Sequence, residues 1–342
     1  VTTTAGRRRL TPEAIVFVVL AATIVVGAVL VAVQGRNFFS TGNLADVFTG
    51  MSVLGLFAIG QTVVILAGGL DLSVSYVASL ASLVAAGTMA DRASSIPAGV
   101  LLAVAVGVAV GLVNGLVVSR LRVPPFMATL GVGLILSGYL ATNYSGSFGH
   151  TPYEFRLIGA TRIGPVPVST LIMLALAVLV FLLLRRTRFG MHVYAVGGDL
   201  SVARLSGIRT TPTLLGVYVT SSVFAAFAGM LLASRTGVGS PTVGSQGGYV
   251  LLSIAAVVLG GTALTGGRGS IVGTIGAVAI LAVISNVMAV MEVNPFLQET
   301  VQGLVIVAAV AVYARRTVLR RPPRFGRHAT PVPTAPASEV AS

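Results

Sequence analysis

Apolar runs of about twenty residues recur along almost the whole chain, separated by short polar breaks, and a helix of that length crosses the hydrocarbon of a bilayer. The runs cover Ala14–Val33, Leu44–Ala67, Leu70–Ala90, Ala98–Ser119, Pro124–Asn143, Val168–Leu184, Thr213–Ser234, Val250–Leu264, Ile271–Met291 and Phe296–Ala314. In lipid the backbone must satisfy its own hydrogen bonds, so such runs become helices. The expected fold is therefore all-α, a polytopic transmembrane bundle of about ten spans. Composition agrees. Only 9% of the 342 residues are charged and 55% are hydrophobic, against roughly a quarter charged in soluble domains. The first run follows Arg7, Arg8 and Arg9. Its length and the lack of a small-residue cleavage site after Val33 read as a span rather than a secretory leader.

Arginine placement sets the expected orientation. Arg36, Arg92, Arg156, Arg162 and Arg235 fall on one side of a ten-span chain, and the other 17 of the 22 basic residues fall on the opposite side. Basic residues are retained in the cytoplasm, so both termini are expected there. On this reading residues 1–12 form a cytoplasmic tail and 13–316 the membrane domain. Residues 317–342 form a Pro-rich tail that cannot bury a core. The external loop Tyr144–Pro167 is long for a connector, and such loops are functional or locally folded.

The central interruption, 185–212, carries Arg185, Arg186, Arg188, Arg204 and Arg209 and belongs on the cytoplasmic side. It contains one short helix signal. Asp199 or Ser201 can cap its start, Val202, Ala203 and Leu205 give an apolar face, and Gly207 stops it. A helix this short needs something to dock against, and no stretch elsewhere in the chain reads as that dock.

Several chemistries are excluded. The chain has no Cys, which removes disulfides, thiolate metal sites and Cys nucleophiles. The net charge of +13 comes from arginines flanking spans, not interleaved with aromatics on a soluble domain, so no nucleic acid partner is expected. Gly261–Gly266 has the glycine spacing of a phosphate-binding loop, yet Gly267 stands where Lys is needed and the chain has no Lys. The protein is thus not an ATPase by that route.

Asp71 is the one acidic residue set within the helix-rich interior; Glu13, Asp46, Asp91, Glu292 and Glu299 lie near predicted helix ends. Asp71 reads as a cap on the helix after Gly68-Gly69, with a role along a transport path as the alternative. Without an acidic relay, ion-coupled transport is disfavoured. Uncharged polar residues within or beside spans (Gln61, Asn114, Thr129, Asn143, Asn286, Gln298 and Gln302) serve either as glue between helices or as the lining of a path for a neutral, hydroxyl-rich solute. The candidate path set is Gln61, Asp71, Asn114, Thr129, Asn286 and Gln298. Glycines at small-xxx-small spacing, among them Gly107, Gly111, Gly115, Gly131, Gly133, Gly273 and Gly276, read as close helix packing.

Four stretches in order then carry a resemblance. They are Gly60–Ser73 (G-Q-T-V-V-I-L-A-G-G-L-D-L-S), Asn114–Leu116 with Val123–Gly131 (V-P-P-F-M-A-T-L-G), Tyr194–Ile208 (Y-A-V-G-G-D-L-S-V-A-R-L-S-G-I) and Ala255–Ser270 (A-A-V-V-L-G-G-T-A-L-T-G-G-R-G-S). The chain resembles the ribose-type sugar permeases of bacterial ATP-binding-cassette importers, a group related to branched-chain amino acid permeases. The likeness runs from about Leu44 to Ala314. It implies a bacterial plasma-membrane location, ATP hydrolysis on a separate ATPase subunit, delivery by an extracytoplasmic sugar-binding protein, and a second permease copy or sister permease. It further implies that Asp199, Ser201, Val202, Ala203, Arg204, Leu205, Ser206 and Gly207 dock on the ATPase; where the family often has Glu-Ala-Ala before the arginine, this chain has Ser201-Val202-Ala203. The alternatives are a branched-chain amino acid or nucleoside permease of the same type, or a stand-alone secondary carrier.

Overall fold

The computed structural model describes residues 11–294, 296–304 and 307. Most of the expected first tail, the later part of the Phe296–Ala314 run and the 317–342 tail lie outside these residues. Twelve helices are bounded in order: α1 (Pro12–Val33), α2 (Thr41–Leu66), α3 (Val74–Met89), α4 (Ile96–Ser119), α5 (Pro125–Asn143), α6 (Tyr153–Ala160), α7 (Val168–Arg186), α8 (Arg188–Gly198), α9 (Leu200–Leu205), α10 (Thr210–Thr236), α11 (Tyr249–Leu259) and α12 (Ile271–Val290). Residues 296–304 are helical as well. Among the described residues, seven helices are long and apolar enough to cross a membrane: those containing Glu13–Val33, Thr41–Leu66, Ala93–Ser119, Pro125–Asn143, Val168–Arg186, Thr210–Thr236 and Ile271–Val290.

The helices α2 and α10 form the centre. α2 packs against α7, α10, α11 and α12, while α10 also packs on α3 and α4; α1 lies outside α12. Hydroxyls tie the centre together. Ser52 on α2 meets Thr170 on α7 at 2.9 Å, and Thr62 on α2 meets Thr274 on α12 at 3.0 Å. In lipid such pairs replace the hydrophobic drive that holds helices together in water.

The glycine stripe is a packing seam. A methyl group added to Gly107 would lie 2.8 Å from the Ser222 carbonyl oxygen of α10, one on Gly111 2.5 Å from Val219 Cα, and one on Gly115 2.9 Å from Leu215 Cα. Gly131 is different, with nothing near its missing side chain.

Two expected spans are shorter than their apolar runs. Leu70–Ala90 becomes helix only from Val74, and Val250–Leu264 ends as helix at Leu259. Both runs contain a break that hydropathy does not register. Gly68 (φ +82°) ends α2, and Gly261 (φ +89°), Gly266 and Gly267 carry the chain away from α11. These left-handed positions suit glycine.

The bundle has two distinct ends. Arg122, Arg204, Gly68, Asp199 and Thr265 surround one cavity at one end. At the other end the Asp91 N–H donates to the His150 carbonyl, and Gly159 packs on Arg235. At that same end Tyr144–Pro167, expected to be external, is folded. The strand β1 (Phe148–His150) pairs antiparallel with β4 (Val238–Gly239), α6 follows, and β2 (Arg162–Ile163) pairs with β3 (Val166–Pro167) across Gly164.

Candidate functional site

The arginine-rich end is built around the turn from α8 into α9. Thr187 caps α8, its hydroxyl accepting from the Gly190 N–H at 3.3 Å. The helix buries Gly190, Val193, Val196 and Gly197 on one face. Sequence reading treats this segment as part of a loop, because the arginines and glycines between 185 and 198 mask an eleven-residue amphipathic helix.

Asp199 caps α9. Its Oδ1 accepts from the Ser201 N–H at 2.8 Å and the Val202 N–H at 3.0 Å, so Asp199 rather than Ser201 starts the helix. Gly207, at φ +78°, ends it. Arg204 donates from Nε to Thr210 Oγ1 at 3.2 Å, tying α9 to the start of α10. The expected apolar face divides in two. Ala203 is buried against the bundle, whereas Val202 is 57% and Leu205 89% exposed. Ser201 and Ser206 are exposed beside them. Six residues close less than two turns, so one helix cannot turn all three apolar side chains inward.

Directly behind α9, the main chain of Gly197 is wedged into both breaks of the membrane helices. A Cβ on Gly197 would overlap the Leu66 carbonyl oxygen and lie 2.7 Å from the Gly267 nitrogen. That carbonyl already accepts a hydrogen bond from the Gly267 N–H at 2.9 Å. The two breaks also touch each other, since a methyl on Gly266 would sit 2.8 Å from the Gly68 nitrogen. Two side chains fasten the second break: the Tyr194 hydroxyl of α8 donates to the Gly269 carbonyl at 3.0 Å, and the Ser270 hydroxyl donates to Glu13 Oε1 at 2.7 Å. The entry to α9, the end of α2 and the start of α12 thus form one joint. Gly68–Ser73 and Gly266–Ser270 are each visible in the sequence as the opening of a helix, but only three-dimensional contact relates them.

Four of the six expected path residues come together just above this joint. Asp71 is fully buried. Its Oδ1 accepts from the Ser73 N–H at 3.0 Å and the Ser73 hydroxyl at 2.6 Å, and Oδ2 accepts from the Ser221 hydroxyl of α10 at 2.8 Å. Asn114 of α4 donates from Nδ2 to Ser73 Oγ at 2.9 Å. Thr129 of α5 accepts from the Leu72 N–H at 3.1 Å. With its amide turned to match its neighbours, Gln61 donates to the Asp71 carbonyl at 3.2 Å and accepts from the Asp71 N–H at 3.3 Å. Each is fully enclosed by protein. In this conformation Gln61, Asp71 and Thr129 satisfy backbone groups left open by the break, while Asn114 reaches only the Ser73 hydroxyl and its Oδ1 finds no partner among the described residues. The other two lie apart: Asn286 is in the later half of α12, and Gln298 donates from Nε2 to the Val293 carbonyl at 2.8 Å.

A family model described as branched-chain amino acid transport system / permease component matches residues 43–310. Among curated proteins, the ribose import permease protein of Bacillus subtilis is 36% identical over 293 residues, covering 84% of this chain and 90% of its own. The galactose/methyl galactoside import permease protein of Haemophilus influenzae is 32% identical, covering 88% and 93%. The fructose import permease protein of Rhizobium meliloti is 34% identical, covering 88% and 85%. No solved structure matches the chain. The match takes in both breaks, the joint between them and all but the first of the seven long apolar helices; the chain is a multi-pass membrane protein and belongs to the branched-chain amino acid transport system / permease component family.

Proposed function

We propose that this chain is the membrane-spanning permease subunit of a binding-protein-dependent ATP-binding-cassette importer for a neutral monosaccharide. A separate ATPase subunit docks on α9 and supplies the nucleotide chemistry. The observation that carries this reading is the exposed pair Val202 and Leu205, on a capped helix at the arginine-rich end whose base is wedged into both membrane breaks. An apolar pair with that placement suits a protein partner in the cytoplasm, and a push on it reaches α2 and α12 through main chain alone. The relatives named for ribose, galactose and fructose import support a sugar as the cargo.

The folded outer segment between α5 and α7 is the surface for a sugar-loaded binding protein, and a second permease copy or sister permease completes the path. ATP binding draws the ATPases together and moves α9. The joint at Gly197 carries that motion into the bundle, switching it between outward- and inward-open states. Mild-detergent purification of the tagged chain tests the reading. The expected companions are one ABC-type ATPase and one sugar-loaded binding protein. An amino-acid-loaded binding protein would overturn the cargo, and absence of any ATPase would overturn the coupling.

A further inference from the structure

At the end opposite α9 the bundle holds a second cavity of about 500 Å³. Its wall combines Tyr76 from α3, Ser137 from α5, Tyr144 and Ser147 from the segment leaving α5, and Thr242 and Gln246 from the segment between β4 and α11. That size lies within the range of small-molecule sites, roughly 300–1,000 Å³. No lining side chain carries a charge.

Two features make the wall specific. First, it joins hydroxyl and amide groups to aromatic rings. Ser240, Thr242 and Ser245 brace one another and α3, through Ser240 N–H to Ser82 Oγ at 3.2 Å and Ser245 Oγ to the Thr242 carbonyl at 3.1 Å. Among the described residues, Tyr76, Ser137, Ser147 and Gln246 direct no side-chain hydrogen bond to a protein partner, so their donors and acceptors stay open to a ligand. Tyr144 sits in an edge-to-face series, 6.4 Å from the Tyr139 ring and 5.6 Å from the Phe148 ring, which holds it in place at the wall. Second, the wall is anchored. The strands β1 and β4 pair the two loops that form it, and Gly244 packs directly on the Ser75 carbonyl of α3.

We propose that this outer cavity is the chamber that receives the cargo, and that it takes a neutral polyhydroxylated molecule. The proposal rests on the permease reading above and deepens it by placing the entry site. Hydroxyls and a carboxamide exchange hydrogen bonds with sugar hydroxyls in either direction, and a tyrosine ring offers an apolar face with a polar tip. An ion or a zwitterionic amino acid would leave its charges unpaired against this wall, which is costly once water is displaced. The uncharged wall matches a neutral cargo better than a zwitterionic one.

The absence of native cysteine makes the test direct. The intact importer is prepared in right-side-out vesicles carrying Ser137→Cys, Ser147→Cys or, as a control away from the chamber, Ser94→Cys at the exposed Ser94 in the turn before α4. Uptake of labelled D-ribose, D-galactose, D-fructose and L-leucine is measured before and after a bulky membrane-impermeant methanethiosulfonate. Wild type and Ser94→Cys are expected to import one of the sugars and not leucine before reaction, and uptake by Ser137→Cys and Ser147→Cys is compared with each variant's own rate before reaction. The adduct on Ser137→Cys or Ser147→Cys is expected to abolish uptake, and the adduct on Ser94→Cys to leave it unchanged. Full modification of Ser137→Cys with uptake intact overturns the chamber, as does an unreactive Ser137→Cys beside a reactive Ser94→Cys. If Ser137→Cys fails to assemble, Ser147→Cys on the exposed loop decides by the same criteria. Wild-type vesicles that import none of the sugars overturn the sugar reading itself, a failure visible before any reagent is added.

Discussion

Replacing Gly197 by alanine adds one methyl group at the most crowded point of the joint. Its neighbours there are main-chain atoms: the Leu66 carbonyl, which it would overlap, and the Gly267 nitrogen at 2.7 Å. Neither can step aside as a flexible side chain would, so the two breaks must separate. Overpacking of this kind costs about 1–3 kcal/mol. Losing the Gly267 N–H to Leu66 carbonyl bond adds about 0.5–1.5 kcal/mol. The adjacent Gly198 supplies the control, because a methyl there meets nothing within 4 Å. The assay pairs thermal unfolding of the purified importer with ATP-driven uptake in reconstituted vesicles. Gly197→Ala is expected to lower the melting temperature and to separate ATP hydrolysis from uptake, and Gly198→Ala to match wild type in both. Equal behaviour of the two variants would refute the reasoning, since they differ in main-chain contact and in little else.

Further outcomes follow from the same geometry. Leu205→Glu alters a side chain that touches little of its own protein, so the chain should insert and melt as wild type while the ATPase no longer co-purifies. Gly207→Val forces a β-branched residue to φ +78°, a strain of about 1–2 kcal/mol, and should uncouple hydrolysis from uptake while membrane insertion persists. Asp71→Ala removes the acceptor of three hydrogen bonds in the break. Each stranded partner costs about 1–3 kcal/mol, so its melting temperature should fall further than that of Asp71→Asn, which keeps one acceptor oxygen. Gly111→Val drives side-chain atoms into the α10 backbone and should destabilise the purified protein. Gly131→Val, with open space around it, should be nearly silent in the same melting experiment.

Hydropathy makes the helical class and most spans legible, because a twenty-residue apolar run has few alternatives in lipid. The α4 glycine stripe is readable from spacing, and its partner is α10. Asp199 and Gly207 are readable as punctuation around α9. What the sequence hides is contact between distant turns. Gly68 and Gly266 both interrupt apolar runs, yet nothing in their spacing says that they touch or that Gly197 lies between them. Glycine contributes so little to hydropathy that a break and a packed helix read alike. The helix α8 is hidden for the opposite reason, Arg188 at its start and Arg185 and Arg186 just before it outweighing the face formed by Gly190, Val193, Val196 and Gly197. The orientation of Val202 and Leu205 away from the bundle depends on which way Asp199 launches the helix. Ser240 to Gln246 reads as an ordinary Gly-, Ser- and Pro-containing connector until β4 pairs with β1 and sets it opposite Tyr76.

The central claim is that this bundle moves cargo only when driven through α9. It is tested most directly by reconstituting the chain into vesicles alone, and again with its co-purifying ATPase and binding protein, and following labelled sugar with and without ATP. The account predicts uptake only in the full assembly and only with ATP, and its loss with Leu205→Glu. Uptake by the chain alone down a sugar or ion gradient would contradict it.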